Sequence, residues 1–89
     1  MKNFIVVKTK EYMFNNKTEI FNVSGSESDC FDVITKDIDT EKIEWSNITD
    51  KTRNYEVNTS NNIVELRVHQ NQSIRSNVVC TVKYEIRSI

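Results

Sequence analysis

The stretch SGSESDCFDVITK, residues 24–36, decides whether this 89-residue chain is all-β or combines strands with a helix. Ser26 suits a helix N-cap, and Asp29 follows three residues later, where its carboxylate can bond back to the cap. The apolar residues beyond it recur at helical spacing on one face: Cys30, Phe31, Ile34 and Ile38. A strand through the same residues would mix charged and apolar side chains on one side, so residues 27–36 are predicted to form a helix.

Strand-forming residues dominate the rest of the chain. Ten Ile and ten Val stand against one Leu and no Ala, which removes strong helix formers and supplies side chains that suit a pleated sheet. Turns depend largely on the eleven Asn and on Asp and Ser, because there is one Gly and no Pro. Alternating patterns predict strands over residues 2–14, 18–23, 42–46, 53–58, 63–70 and 77–88, with a hairpin turn at 15–17.

The alternation also predicts which side chains enter the core. In residues 63–70 the inward set is Val64, Leu66 and Val68, and the outward set is Glu65, Arg67 and His69. In residues 77–88 one face carries Val78, Cys80, Val82, Tyr84 and Ile86. The large aromatic groups are assigned to the core as well, because a small domain has little else to fill it: Phe14, Phe21, Phe31, Trp45 and Tyr55.

These elements predict a single α+β domain over residues 1–89, with an N-terminal β-hairpin, one short helix and then antiparallel strands. The alternative is an all-β immunoglobulin-like sandwich, because Cys30, Trp45 and Cys80 resemble that family's two cysteines and core tryptophan in order and approximate spacing. That resemblance implies a secreted recognition domain with a bridge between the two cysteines. In the α+β fold the two thiols are instead expected to be reduced and packed as small apolar groups.

Length and motifs argue against an enzyme, a cofactor and a metal. A domain of this size leaves little room for an enclosed active site, and the chain has no Gly-rich phosphate loop or Cys-x-x-Cys pair. His69 is the only histidine and lacks neighbours at ligand spacing. Asp37, Asp39 and Glu41 alternate as in a calcium loop, but Lys42 stands where that loop needs Gly.

The apolar runs are also short. None approaches the roughly 18 residues that span a bilayer, and the run near the start is shorter than the apolar region of a secretory signal. We therefore expect a cytoplasmic protein that neither enters a membrane nor directs its own export.

Charge is segregated along the chain, although the net charge is only −1. Residues 27–44 contain seven acidic residues and two lysines, a formal charge of −5. Such a patch could be a solvated helix face, or it could attract a partner with a basic surface. The predicted partner-binding residues are Asp32, Asp37, Asp39, Glu41 and Glu44. Two of them, Asp37 and Asp39, are expected near the C-terminal end of the helix, where negative charge is locally unfavourable.

The C-terminal part of the chain is basic, with a formal charge of +3 over residues 51–89. It provides an alternative function, nucleic-acid binding through Arg67, Lys83 and Arg87. The interleaved Glu65 and Glu85 and the slightly negative net charge argue against it, because pairing of opposite charges on an exposed sheet explains the same residues. Nucleic acid is therefore the less favoured partner.

The first half of the chain resembles small accessory proteins of phages and mobile elements. The likeness rests on a hairpin that begins at the first residue, on FNVSGSESD at residues 21–29 leading into a short helix, and on Trp45 soon afterwards. The resemblance implies a cytoplasmic protein that acts by binding, such as an anti-CRISPR-like inhibitor of a host or defence factor. A non-enzymatic protein-binding module is therefore predicted, and its sheet edges could also pair two copies into a homodimer.

Overall fold

One helix and a five-stranded sheet make up the protein in the computed structural model, which describes residues 2–48, 53–73 and 75–89. In chain order the elements are β1 (Lys2–Tyr12), β2 (Asn15–Gly25), α1 (Glu27–Ile48), β3 (Tyr55–Ser60), β4 (Ile63–His69) and β5 (Val78–Ser88). All neighbouring strands are antiparallel, and their order across the sheet is β2-β1-β5-β4-β3. The predicted α+β fold with an N-terminal hairpin is confirmed.

The hydrophobic core lies between α1 and one face of the sheet, and we call the other side of the sheet the open face. Successive strand residues point to opposite faces, so β1, β4 and β5 each contribute alternate residues to the core. The core comprises Phe4, Val6, Val23, Cys30, Ile34, Ile38, Trp45, Val64, Leu66, Val68, Cys80, Val82, Tyr84 and Ile86. The inward residues predicted for β4 are confirmed. On β5 the predicted face that carries Cys80, Val82, Tyr84 and Ile86 is the buried one, although Val78 at its start is exposed.

The start of α1 follows the predicted capping pattern. The Ser26 backbone N–H donates to Asp29 Oδ2 at 2.8 Å, and the Ser26 hydroxyl donates to the same oxygen at 3.1 Å. Gly25 precedes the cap with a φ of +138°, and a Cβ there would lie 2.2 Å from Asp29 Oδ2. The only glycine of the chain is therefore required where β2 turns into α1.

The helix is longer than predicted, and the predicted strand over residues 42–46 is wrong. α1 continues to Ile48 because the residues that face the sheet keep helical spacing from Ile38 through Glu41 to Trp45. Ile43, which the strand prediction placed on the same face as Trp45, is exposed on the opposite side of α1. Asp37 and Asp39 therefore lie mid-helix and not near its C-terminal end.

The hairpin turn is also placed differently from the prediction. β1 ends at Tyr12, which pairs with Asn15, so the turn is formed by Met13 and Phe14 and not by residues 15–17. Met13 has a φ of +55°, which is uncommon for a side chain of its size. Phe14 is fully exposed, so its prediction as a core residue is wrong.

Other boundaries moved by smaller amounts. β3 begins and ends two residues later than predicted, because the tight turn before β4 is made by Asn61, with a φ of +50°, and Asn62. Of the residues between the predicted strands 42–46 and 53–58, residues 47 and 48 belong to α1 and residues 49–52 lie outside the described part of the chain. A register irregularity between Val68 and His69 turns His69 inward, so its predicted exposure is wrong.

The immunoglobulin-like alternative is wrong. Cys30 lies on α1 and Cys80 on β5, and both are buried free thiols. The described strands form one sheet covered by a helix, whereas that family packs two sheets face to face.

Candidate functional site

A buried ion network fastens α1 to the middle of the sheet. Lys8 and Lys10 project from β1 beneath the helix, because alternate residues of a strand share a face with Val6 and Tyr12. Lys8 Nζ lies 2.7 Å from Asp37 Oδ2 and 2.8 Å from Glu41 Oε1, and Lys10 Nζ lies 2.8 Å from Glu41 Oε2. The Tyr84 hydroxyl, on the neighbouring strand β5, donates to Asp37.

The network stabilises the charged forms of its members. Burial alone disfavours charge on Lys8, but its hydrogen bonds to Asp37 and Glu41 outweigh burial and raise the pKa of Lys8. Burial likewise opposes charge on Glu41, yet the two lysines hold the pKa of that carboxyl below its usual range. Burial and the bond to Asp37 raise the pKa of the Tyr84 phenol. At neutral pH Lys8 is therefore a cation, Glu41 a carboxylate and Tyr84 a neutral phenol.

This arrangement divides the five predicted partner-binding residues into two groups. The side chain of Glu41 is 5 % exposed and that of Asp37 is 20 % exposed, and both point toward Lys8. Asp32 and Asp39 are exposed, and Glu44 is 59 % exposed at 4.0 Å from Lys10. We call Asp32, Asp39 and Glu44 the outer helix acids. The outer helix acids face solvent, whereas Asp37 and Glu41 join the helix to the sheet.

The side of α1 that faces solvent remains acidic when Asp37 and Glu41, which are paired with lysines, are left out of the charge count. α1 contains seven acidic residues and two lysines, and Asp37 and Glu41 are neutralised by lysines of β1. Five acidic residues and two lysines then remain on the helix. Lys42 lies over the Tyr55 ring at 5.9 Å from its centroid. Within the described residues, Asp32 and Asp39 form no ion pair.

The residues of the nucleic-acid alternative come together on the open face, but acidic side chains separate them. Arg67 Nε lies 2.5 Å from Glu65 Oε1 on β4, and Arg87 Nε lies 2.9 Å from Glu85 Oε1 on β5. Lys83 sits between these pairs and is opposite Glu65 in the strand register. The open face is therefore of mixed charge, unlike the continuous basic surface that phosphate binding needs.

His69 is buried where β3, β4 and the loop before β5 meet. Its Nδ1 lies 3.2 Å from the Ser76 carbonyl oxygen. Its Nε2 lies 2.5 Å from Glu56 Oε1, and this close contact is not aligned as a hydrogen bond. His69 therefore has a packing environment made by three segments of the chain.

The remaining candidate ligands are dispersed. In the described part of the chain, no three His, Cys, Asp or Glu side chains are grouped so that they could hold a metal ion. The calcium-like series Asp37, Asp39 and Glu41 lies on α1, with its first and last members bonded to Lys8. Burial raises the pKa of the Cys30 and Cys80 thiols, which favours the unreactive protonated form.

Sequence reasoning missed Lys8 and Lys10 as partners of the helix. A signal was present, because both residues lie in phase with Phe4 and Val6, which point into the core. A lysine in phase with core residues of a strand indicates a buried partner of opposite charge, since an unpaired buried charge is costly.

Within residues 2–48, 53–73 and 75–89, no helix combines the length and the hydropathy needed to cross a bilayer. No protein-family model matches the chain, and no curated protein or solved structure matches it either.

Proposed function

We propose that this chain is a non-enzymatic protein-binding module and that the outer helix acids contact a basic surface of its partner. The observation that carries the proposal is the division of the acidic residues of α1. Asp37 and Glu41 are used inside the protein, whereas Asp32, Asp39 and Glu44 face solvent on a helix that still carries excess negative charge.

Charge complementarity supports a basic partner. Exposed carboxylates on a helix attract lysine and arginine side chains, and this attraction speeds association and sets orientation more than it adds affinity. α1 is joined to the sheet by the core and by the buried ion network, and the geometry of the helix sets the spacing of the outer helix acids. A partner surface with matching basic residues would therefore bind in one register.

The resemblance of the N-terminal half to phage and mobile-element accessory proteins supports a finer proposal. In it, the protein inhibits a host or defence factor in the manner of an anti-CRISPR protein. A nucleic-acid-binding factor fits this role, because its basic surface normally contacts phosphates and the outer helix acids would occupy the same place. The inhibitor would act in the cytoplasm by covering that surface.

The test compares two variants with the same change of net charge on opposite sides of the molecule. Asp32→Asn with Asp39→Asn removes two carboxylates from the outer side of α1, and Glu65→Gln with Glu85→Gln removes two from the open face. Each tagged protein is used to capture partners from a host lysate, with and without nuclease, and the captured protein is then purified and its affinity measured.

We expect one nuclease-resistant partner that loses at least about tenfold in affinity with the helix variant, which corresponds to about 1.4 kcal/mol. The open-face variant should bind as the unchanged protein does. Equal loss in both variants, or binding insensitive to the helix change, would contradict the proposal. A partner that disappears with nuclease would favour nucleic acid and the residues Arg67, Lys83 and Arg87.

A further inference from the structure

The hairpin between β1 and β2 ends in two large apolar side chains that contact little of their own chain. Met13 is 76 % exposed and Phe14 is fully exposed. We call these two residues the hairpin tip. The chain places them in the turn although Met13 must adopt a left-handed φ, while Asn15 and Asn16, which tolerate that conformation better, follow directly. The tip therefore presents apolar surface where most hairpins present polar residues.

A cleft opens beside the hairpin tip, and we call it the end cleft. Its volume is about 490 Å³, which is ample for an aromatic ring, since a cavity of about 150 Å³ holds benzene. Its walls include Met13 of the hairpin tip and residues of β1, α1, β5 and the segment before β3, among them Glu11, Tyr12, Trp45, Arg53 and Val79. The Tyr12 and Trp45 rings pack edge to face at the base of this region, with centroids 5.2 Å apart.

The end cleft also contains two opposite charges that do not meet. The Arg53 guanidinium lies 5.1 Å from the centroid of the Trp45 ring and donates to the Gln70 carbonyl oxygen at 3.2 Å. Its Nε is buried without a hydrogen-bond partner among the described residues. Glu11 is exposed, and within the same residues it forms no ion pair.

We propose that this end of the molecule is a self-association surface, in which Phe14 of each copy enters the end cleft of the other. One copy carries both the projecting ring and the cleft that fits it, and the two features adjoin each other. A two-fold arrangement lets both insertions occur at once and closes the assembly. It also brings Glu11 of one copy toward Arg53 of the other, so the charges are complementary across the axis.

This inference is independent of the proposed function, because the outer helix acids do not line the end cleft. It differs from pairing through a sheet edge, which would use the backbone of β2 or β3. The contact is small, so we expect a weak dimer with a dissociation constant on the order of 10–100 μM.

Sedimentation velocity over a range of protein concentrations tests the inference. The unchanged protein should shift from monomer to dimer as concentration rises, and Phe14→Ser should remain monomeric over the same range. Ile43→Ser, which removes another exposed apolar side chain from the outside of α1, serves as the matched control and should dimerise normally. Phe14 makes no core contact, so the melting temperature of Phe14→Ser at low concentration should be unchanged.

Charge reversal gives a second, independent readout. Glu11→Lys and Arg53→Glu should each weaken the dimer about tenfold, and the double variant should recover most of the loss. Circular dichroism is used to check that the Arg53→Glu variant is folded. An unchanged protein that stays monomeric at every concentration, or a dimer that survives Phe14→Ser, would overturn the inference.

Discussion

The two sides of the sheet contain ion pairs of similar length in different surroundings. On the helix side, Lys8 Nζ lies 2.7 Å from Asp37 and its side chain is 7 % exposed. On the open face, Arg67 Nε lies 2.5 Å from Glu65, and the arginine side chain is 48 % exposed. Water and salt screen the second pair and hardly reach the first. Distance alone therefore does not decide what an ion pair contributes, and the two sides should respond differently to the same changes.

Of the changes that test this contrast, Lys8→Met should lower the free energy of unfolding most. It leaves Asp37 and Glu41, on the side of α1 that faces the sheet, with only Lys10 as a cation, and an uncompensated buried charge costs about 3–5 kcal/mol. For a small domain this is a large part of the total stability. Denaturant unfolding would measure the loss, with exposed Lys36→Met as the control. A loss in Lys8→Met no greater than that in Lys36→Met would show that the buried network adds little.

Changing the pH should reproduce part of that loss without a mutation. The pKa of Glu41 is lowered in the folded protein, so its contribution is complete above its usual pKa of 4.5 and disappears as pH falls through the lowered value. The pKa values of Lys8 and Tyr84 are raised, so their contributions hold below their usual values of 10.5 and 10.0 and disappear at higher pH. Protonation neutralises Glu41, so the acid loss should be smaller than that of Lys8→Met.

The free energy of unfolding measured across pH tests this expectation, and two matched variants sharpen it. Glu41→Gln should flatten the acid side of the profile. Glu85→Gln removes a carboxyl whose pKa is lowered by the Arg87 guanidinium on the open face, and it should leave most of the acid dependence in place. If Glu85→Gln flattens the profile as much as Glu41→Gln, the exposed carboxyl contributes as much acid dependence as the buried one. Burial would then not explain a difference between the two sides of the sheet.

Breaking the exposed pair should have a small effect. Arg67→Ala removes the partner of Glu65, and exposed pairs of this kind contribute about 0–1 kcal/mol. Unfolding at low and at high salt would measure the loss, which should shrink further as salt rises. A loss that matches Lys8→Met and does not respond to salt would remove the distinction between the two sides.

Neutralising Asp32 and Asp39, two of the outer helix acids, should change stability least. Asp32→Asn with Asp39→Asn alters exposed side chains that form no ion pair within the described residues, so the free energy of unfolding should stay within about 0.5 kcal/mol. Thermal melting of the variant beside the unchanged protein provides the check. A larger loss of stability would show that these residues have a structural role. The variant could then not be used to test partner binding alone.

Local patterns predicted those elements in which one physical rule decides the outcome. The alternation of Val64, Leu66 and Val68 predicted the buried face of β4, and Ser26 with Asp29 predicted the start of α1. Each of these features depends on neighbours within a few residues, either through the pleat of a strand or through the free N–H groups of a helix terminus.

Other predictions failed where two local patterns competed. Ile43 and Trp45 fit a strand as well as a helix over a short window, and only the packing of Trp45 against the sheet selects the helix. The hairpin turn was predicted in the Asn-rich segment 15–17 and not at Met13 and Phe14, because local turn propensity favours Asn. The register of β1 against both β2 and β5 determines where the hairpin turns, and that register involves residues far apart in the chain.

By itself the sequence determined the class of fold, the start of the helix, the inward face of β4 and which β5 side chains share a face, because these follow from residue periodicity and capping. Only the tertiary structure decided which acidic residues of α1 are internal and which remain outside. Asp37 and Glu41 differ from Asp39 not in chemistry but in the side of the helix they occupy relative to Lys8 and Lys10. That relation exists only once the helix has packed on β1, because burial converts a weak surface attraction into a strong constraint.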